Sequence, residues 1–218
     1  MKCDKNYMLL YGVTDRAWTG CQSLYEQAEA ALRGGVTCIQ LREKGLEKQA
    51  FLEEAIALKE LCKRYNTPLI INDNVEIALE CQADGIHVGQ DDLSPSQVRK
   101  LVGNQMIIGV SAHSVAEALE AEKSGADYLG VGAMFTTSTK TDARPLPFQT
   151  LQAICQAVSI PVVAIGGINK ANILELSGSG ADGVALVSAI FGAKDIEAEC
   201  RELKNLAKQM IMTQEDKQ

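Results

Sequence analysis

Eight short apolar strands, separated by helical segments, constrain the fold of this chain more than any other feature. Four predicted strands share a pattern in which small or glycine residues end a helix and a buried strand follows at once. This pattern occurs at residues 34–41, 83–88, 125–131 and 180–186. Between them lie four further apolar strands, at residues 8–13, 69–71, 106–110 and 161–165. Nearly continuous apolar strands alternating with helices are typical of a parallel sheet covered by helices.

Helical apolar periodicity fills the intervals between these strands. The clearest case is residues 46–62, where apolar residues form a wide stripe among Glu and Lys. The other predicted helices are at residues 23–32, 75–81, 94–101, 114–124, 147–157, 170–176 and 196–211. Eight strand–helix units in a chain of 218 residues predict an α/β fold, a single-domain (β/α)8 TIM barrel with its active site at the C-terminal ends of the strands. A doubly wound open sheet is the alternative, although it usually has fewer strands.

The chain shows no linker or charge block that would divide it, so we predict one barrel domain over residues 1–212 and a polar tail over residues 213–218. The formal net charge of -7 argues against a broad nucleic-acid or anionic-membrane surface. No apolar stretch approaches the length of ~20 residues that a membrane span needs. The first residues lack the apolar region of a signal peptide. Seven cysteines without a Cys-x-x-Cys motif indicate reduced thiols and a cytoplasmic protein.

Two neighbouring predicted strands both end in acidic residues. Asn72-Asp73-Asn74 follows the strand at residues 69–71, and Gln90-Asp91-Asp92 follows the strand at residues 86–88. Since parallel neighbours finish at the same edge of a sheet, these carboxylates are expected to lie side by side. Mg²⁺ typically binds one or two carboxylates together with waters and substrate phosphates. The alternative is that these Asp residues only cap helices.

Cations are predicted at the same edge of the barrel. Arg42 and Lys44 alternate with Leu41 and Glu43 at the end of the second strand, and Lys140 lies in a loop rich in Thr and Ser. Arg offers a planar fork to phosphate oxygens, whereas Lys offers a compact charge. Each cation alone could be an ordinary solvent-exposed residue. Together with two carboxylates they favour a metal-bound, highly anionic group such as pyrophosphate.

The last two strands are followed by a second candidate anion site. Gly166-Gly167 permits close approach of the backbone to a ligand, and Val187-Ser188 opens onto a short helix. The loops after strands seven and eight commonly bind phosphate in barrels of this kind. A Gly-Gly pair by itself is more often a turn. An arrangement with two anion sites would suit two phosphorylated substrates.

These residues resemble the thiamin phosphate synthase (thiamin-phosphate pyrophosphorylase) family over nearly the whole chain, from residue 13 to residue 188. The motifs that carry the resemblance are specific in combination. They are Val13-Thr14-Asp15, Gln40-Leu41-Arg42-Glu43-Lys44, Ile71-Asn72-Asp73, His87-Val88-Gly89-Gln90-Asp91-Asp92, Gly109-Val110-Ser111, Thr137-Ser138-Thr139-Lys140 and Gly166-Gly167-Ile168. The chain departs from the family at Thr136, where Pro is common, and Met134-Phe135 before it is also unusual.

The resemblance implies that hydroxymethylpyrimidine pyrophosphate and hydroxyethylthiazole phosphate condense to thiamin phosphate and pyrophosphate. It implies that Asp73 and Asp92 hold Mg²⁺ as the cofactor. The catalytic residues that it implies are Arg42, Lys44, Ser111 and Lys140. The implied substrate-binding residues are Gln40, Leu41, Arg42, Glu43, Lys44, Asn72, Ser111, Thr137, Ser138, Thr139, Lys140, Gly167, Val187 and Ser188. The implied reaction passes through a carbocation-like pyrimidine, which asks for charge stabilisation and proximity rather than a protein nucleophile.

Three other functions stay open at this point. A related thiazole tautomerase uses a His in the region of His113, but it needs neither Mg²⁺ nor a pyrophosphate site. A non-catalytic phosphate-binding barrel would explain Gly167 and Ser188 but not the acidic pair. A phosphosugar isomerase would need a poised base. His87 lies inside a strand and is interpreted as a hydrogen-bonded packing residue. The sequence leaves the oligomeric state open.

Overall fold

The structure, a computed structural model, describes residues 3–137 and 145–215 of the chain, with side chains as far as residue 212. Its eight strands are β1 Leu10–Val13, β2 Cys38–Leu41, β3 Leu69–Asn72, β4 Gly85–Val88, β5 Ile107–Ala112, β6 Tyr128–Gly132, β7 Val162–Ile165 and β8 Gly183–Leu186. Its α-helices are α1 Leu24–Arg33, α2 Lys48–Arg64, α3 Val75–Glu80, α4 Pro95–Val102, α5 Val115–Lys123, α6 Phe148–Ala157, α7 Ser188–Phe191 and α8 Ile196–Glu215. Each strand pairs in parallel with the next, and β8 pairs with β1. The predicted (β/α)8 barrel is confirmed.

Two predicted helices differ from the structure by more than two residues at one end. Residues 170–176 form only a short 3-10 turn, Ile173–Leu176. Here the side chain of Asn169 accepts the backbone N–H of Ala171, and that of Asn172 accepts the N–H of Asn169, so local side-chain bonds replace the first helical turn. At the other end of the chain, α8 continues to Glu215 and therefore enters the segment predicted to be a polar tail.

Side chains alternate strictly between the two faces of the barrel wall. In β2, Ile39 and Leu41 pack outward into the core shared with the helices, whereas Cys38 packs inside the barrel. The interior cluster is small and consists of Met8, Tyr11, Val13, Cys38, Ile70, Ile107, Tyr128, Val163 and Ala185. This alternation follows from the two-residue period of a strand. It determines which residue at each strand end can point into the mouth of the barrel.

The repeated pattern noted in the sequence forms a set of backbone clasps at the N-terminal face. The residue before each even-numbered strand accepts, through its side chain, a backbone N–H near the start of the preceding strand. The four pairs are Thr37 with Leu10, Asp84 with Leu69, Asp127 with Ile108 and Asp182 with Val162, at 2.8–2.9 Å. Each clasp satisfies a donor that lies outside the strand ladder. These stabilising contacts lie at the N-terminal face of the barrel, whereas ligands of (β/α)8 barrels bind at the opposite, C-terminal face.

Candidate active site

A cavity of about 800 Å³, as bounded by the described residues, opens at the C-terminal ends of the strands. Its size lies within the usual range of ligand pockets, roughly 300–1,000 Å³. Eleven of the residues proposed from the sequence line it: Gln40, Arg42, Lys44, Asn72, Asp73, Asp92, Ser111, Thr137, Gly167, Val187 and Ser188. Residues from β2, β3, β4, β5, β6, β7 and β8, or from the loops after them, thus meet around one space.

Two residues of the second-strand motif lie away from this cavity. Leu41 is fully buried in the core between barrel and helices. The Glu43 side chain is almost completely buried and accepts a hydrogen bond from Arg16 at 2.9 Å. Both belong to the outward-pointing set of the strand alternation, so their side chains are not brought to the predicted substrate site. Ser138, Thr139 and Lys140 lie outside the described residues, and their roles remain predictions.

The two acidic strand ends form a close carboxyl pair. Asp73 has a left-handed backbone, with φ of 62°, and its carboxyl group lies close enough to that of Asp92 for the two to affect each other's charge. Burial, followed by the negative charge of Asp92, raises the pKa of Asp73 to about 6, whereas the nearby Lys44 acts in the opposite direction. Asp92 is also held by its own loop, because its Oδ2 accepts the backbone N–H of Gly89 at 2.7 Å. The loops therefore hold two acidic groups closer than two negative charges favour.

The residue pair fits a hard divalent cation. Carboxylate oxygens are the ligands that Mg²⁺ prefers, and a cation would relieve the repulsion that now favours a proton on Asp73. Among the described residues there is no group of three or more His, Cys, Asp or Glu side chains placed to hold a metal. A cation on this pair would therefore complete its coordination with ligand oxygens or water, as Mg²⁺ usually does at phosphate sites.

Arg42 is held at the cavity wall by the end of β1. Its guanidinium donates to Asp15 Oδ2 at 3.0 Å, and its backbone N–H donates to the buried hydroxyl of Thr14. Asp15 is itself fixed, because its other oxygen accepts the N–H of Ala17 in a 3-10 turn at Arg16–Trp18. Asp15 thus orients the Arg42 side chain while leaving further guanidinium donors for an anion.

The loop after β7 is built on two left-handed glycines. Gly166 and Gly167 have φ of 97° and 67°. A Cβ on Gly167 would lie 2.5 Å from the carbonyl oxygen of Thr136, in the loop after β6. The N–H of Phe135 also donates to the carbonyl of Gly166 at 2.9 Å. The glycine loop therefore packs directly on the loop that leads to Thr137.

A polar layer inside the barrel was not predicted. The hydroxyl groups of Tyr11 and Tyr128 lie 2.7 Å apart, and Gln40 donates to Tyr11 at 2.9 Å. His87 contacts the Tyr128 hydroxyl through Nδ1 at 2.9 Å and Ser111 Oγ through Nε2 at 3.0 Å. His87 is buried and hydrogen-bonded, as predicted, but it also lines the cavity. The strand alternation, applied to every strand rather than to strand ends alone, could have indicated these interior side chains.

His113 occupies the rim of the same cavity. Its ring Nδ1 lies 3.1 Å from Glu117 Oε2, which also accepts the backbone N–H of His113 at 2.8 Å. The His113 side chain is half exposed, and its partner Glu117 lies in the first turn of α5. These contacts account for His113 without a catalytic role.

The fold and the cavity together define a (β/α)8-barrel protein whose ligand site lies at the C-terminal mouth. A family profile described as thiamine monophosphate synthase matches residues 10–190. The chain is 51% identical to the thiamine-phosphate synthase of Ruminiclostridium cellulolyticum over 93% of this chain and 96% of that protein. It is 52% identical to the thiamine-phosphate synthase of Clostridium beijerinckii, over 90% and 94% of the two chains.

A solved structure agrees with these relatives. The thiamine phosphate pyrophosphorylase from Pyrococcus furiosus superposes with a TM-score of 0.88 at 39% identity, covering 95% of this chain and 98% of that one. The chain belongs to the thiamine monophosphate synthase family. It is accordingly a transferase, with the thiamine-phosphate synthase function in thiamine biosynthesis.

Proposed function

We propose that this enzyme joins hydroxymethylpyrimidine pyrophosphate to hydroxyethylthiazole phosphate, with Mg²⁺ bound by Asp73 and Asp92. The observation that carries the proposal is the acidic pair at the cavity wall with Lys44 beside it. Lys44 lies near enough to Asp73 for its positive charge to lower the pKa of that carboxyl group. A carboxyl pair next to cations suits a site in which a metal ion and a pyrophosphate neutralise each other. A simple phosphate-binding barrel has no need for the acidic half of this arrangement.

The two anionic ends of the substrates would bind on different walls. Arg42 and Lys44 line the cavity from the loop after β2, next to the acidic pair, and would bind the pyrophosphate. Gly167 and Ser188 line it from the loops after β7 and β8, and would bind the thiazole phosphate. In this arrangement the pyrimidine and the thiazole face each other over the barrel interior, which brings the reacting atoms together.

The proposed step is a transfer of the pyrimidinylmethyl group. A bond forms between the thiazole nitrogen and the methylene carbon, and the bond between that carbon and the pyrophosphate oxygen breaks. Arg42 and Lys44 stabilise the negative charge that gathers on the departing pyrophosphate. Mg²⁺, when bound, supplies Lewis-acid stabilisation of the same charge. Lys140 is proposed to add to this charge from the loop after β6, in a part of the chain outside the described residues.

A direct assay tests both the substrates and the metal. Purified enzyme, freed of metal with EDTA, should form thiamin phosphate and pyrophosphate in equal amounts only after Mg²⁺ is added. Asp92→Asn should lower the Mg²⁺-dependent rate by about 100-fold or more, since lost charge stabilisation costs several kcal/mol in the transition state. Glu60→Gln is the control for the loss of one carboxylate, because Glu60 is exposed on α2 and does not line the cavity. Full activity without any divalent ion would contradict the metal proposal.

We also propose that the enzyme works in the cytoplasm. All seven cysteines are free thiols in the structure, which suits a reducing compartment. Within the described residues no helix combines the length and apolarity needed to cross a bilayer.

A further inference from the structure

The polar layer inside the barrel forms one continuous chain of hydrogen bonds across the cavity floor. It runs from β2 to β5 through Gln40, Tyr11, Tyr128, His87 and Ser111, with contacts of 2.7–3.0 Å at every link. Its two ends, Gln40 and Ser111, are residues already assigned to substrate contact, whereas its three central members have no assigned role. This series of hydrogen bonds connects the two substrate-contacting residues across the barrel.

The central rings are packed into fixed positions. Tyr11 and Tyr128 are 1% and 0% exposed, and their rings are tilted at a centroid distance of 5.9 Å. Glycines make the space: a Cβ on Gly109 would lie 2.1 Å from Tyr128, and one on Gly130 would lie 3.1 Å from His87. The rings therefore have no room to exchange hydrogen-bond partners by moving.

The direction of donation along the chain follows from its Gln40 end. The Gln40 amide N–H donates to the Tyr11 oxygen, so the Tyr11 hydroxyl is free to donate to the Tyr128 oxygen. In the direction set by Gln40, the Tyr128 hydroxyl donates to His87 Nδ1, a link whose distance alone allows either tautomer. Burial lowers the pKa of His87 to about 4, so its ring is neutral and carries one proton. With Nδ1 accepting, that proton must lie on Nε2 and is donated to Ser111 Oγ.

We infer that His87 and Tyr128 are positioning residues that turn the hydroxyl proton of Ser111 into the cavity. Ser111 Oγ accepts from His87, so its own O–H remains available to a ligand acceptor. At the other end, the Gln40 amide N–H donates to Tyr11, so the Gln40 side-chain carbonyl oxygen is available to accept from a ligand donor. The site thus offers a donor on β5 and an acceptor on β2, which matches a planar heteroaromatic amine. This reading of the ligand rests on the proposed function, whereas the hydrogen-bond direction does not.

The first test is a ligand-free measurement of the imidazole. The chain has only two histidines, so ¹⁵N-histidine labelling gives two ring systems, and a His113→Gln sample assigns them. The expected result is a His87 ring protonated at Nε2, with Nδ1 at the shift of a nitrogen that accepts a hydrogen bond. A ring protonated at Nδ1 would overturn the proposed direction.

Two tyrosine variants sharpen this test. Tyr128→Phe should move the Nδ1 resonance to that of a nitrogen without a hydrogen bond, or transfer the proton to Nδ1. Tyr11→Phe is the matched control, because it removes an equally buried hydroxyl one link further away and leaves the Tyr128–His87 bond in place. An Nδ1 resonance that is unchanged in Tyr128→Phe, or that moves equally in both variants, would overturn the role of Tyr128.

The second test asks whether Tyr128 acts through Ser111. Tyr128→Phe and Ser111→Ala should each lower kcat, by about tenfold if one hydrogen bond to the reacting ligand is misdirected, and the double variant should fall no further than Ser111→Ala. Effects on kcat that simply multiply would overturn the inference and leave Tyr128 a packing residue. If wild-type enzyme forms no thiamin phosphate, the proposed function fails, while the imidazole spectra still decide the direction of the chain.

Discussion

Asp127 and Asp182 provide a controlled comparison of two otherwise equivalent clasps at the N-terminal face. Their side chains are 17% and 18% exposed, and each accepts the N–H of a neighbouring strand at 2.9 Å. Their cationic partners differ. Arg99, 22% exposed, donates to Asp127 at 2.6 Å, whereas Lys5, 71% exposed, lies 3.1 Å from Asp182. Replacing each Asp by Asn keeps the oxygen for the strand and removes the charge.

The two substitutions should differ severalfold in cost. Arg99 also donates to the carbonyl oxygens of Gly103, Met106 and Gly125, so it cannot leave when its carboxylate is neutralised. A charge-assisted hydrogen bond contributes about 1.5–3 kcal/mol, so we expect Asp127→Asn to cost about 2 kcal/mol. An exposed pair contributes about 0–1 kcal/mol, so Asp182→Asn should cost about 0.5 kcal/mol. At about 2 cal/mol/K per residue, these become falls in Tm of about 4 °C and about 1 °C.

Urea and thermal unfolding of the two variants measure this difference. An Arg99→Met/Asp127→Asn double variant should lose less than the sum of its single variants, because the second substitution removes a partner that is already missing. Added salt should weaken the Asp182 effect more than the Asp127 effect, since the exposed pair is more strongly screened. Equal losses in Asp127→Asn and Asp182→Asn would refute the reasoning.

Three further outcomes are expected. The affinity for Mg²⁺, measured calorimetrically, should fall as the pH drops through about 6, because Asp73 then binds a proton that competes with the metal; a flat profile would contradict the carboxylate site. Gly167→Ala should weaken binding of both substrates, not of the thiazole phosphate alone, because its Cβ strikes the loop after β6 and its φ is 67°; loss confined to one substrate argues otherwise. Arg16→Met should destabilise the fold by about 1–2 kcal/mol, increasingly as the pH rises, because it leaves the buried Glu43 carboxylate without its cation; an unchanged urea midpoint at pH 8 would exclude this.

The barrel could be predicted because the sequence signals for its strands and helices each lie within a short segment. Each strand is an apolar run, and each helix has its own periodicity and capping residues, such as Ser23 and Ser94, whose capping boxes start α1 and α4. The site was partly predictable for the same reason, since strand ends in a parallel barrel share one face. The family resemblance, however, assigns all five residues of the motif at 40–44 to the substrate site. Alternation along the strand sends Leu41 and Glu43 outward and only Gln40, Arg42 and Lys44 to the cavity.

Strand alternation can place these side chains inside the barrel, but the hydrogen bonds that join them into a polar layer could not be predicted by local reasoning. Tyr11 and Tyr128 are separated by 117 positions, and each alone reads as an ordinary aromatic core residue. Their hydroxyl groups meet only because closing the barrel brings β1 and β6 across the interior. The glycines that make room for the rings, such as Gly109, carry no sign of the partner that fills the space. Such contacts depend on the closed sheet rather than on any segment of sequence.

The two faces of the barrel should respond in opposite ways to the loss of an Asp. Asp73 stands at a left-handed φ of 62°, a conformation that Asn tolerates at least as well as Asp. Its carboxyl pKa is raised from 3.8 to about 6 by burial and by Asp92, so the folded protein binds its proton more tightly than the unfolded chain does. The stabilisation that this proton provides is fully present below pH 4 and is lost as the pH rises through about 6.

Asp73→Asn removes that pH-dependent loss. At pH 8 the variant should therefore unfold at a higher temperature than the wild type when Mg²⁺ is absent, and the advantage should shrink at pH 5, where Asp73 in the folded protein is mostly protonated. The proposed Mg²⁺-dependent activity should nevertheless fall sharply, because a neutral amide cannot replace the carboxylate that is proposed to bind the metal. Asp84→Asn, at the opposite face, should lower Tm at pH 8 because Lys59 loses its partner at 2.6 Å. If the wild type were instead more stable than Asp73→Asn at pH 8 without metal, the two carboxylates would not destabilise the folded protein. The argument that their repulsion favours a bound cation would then fail.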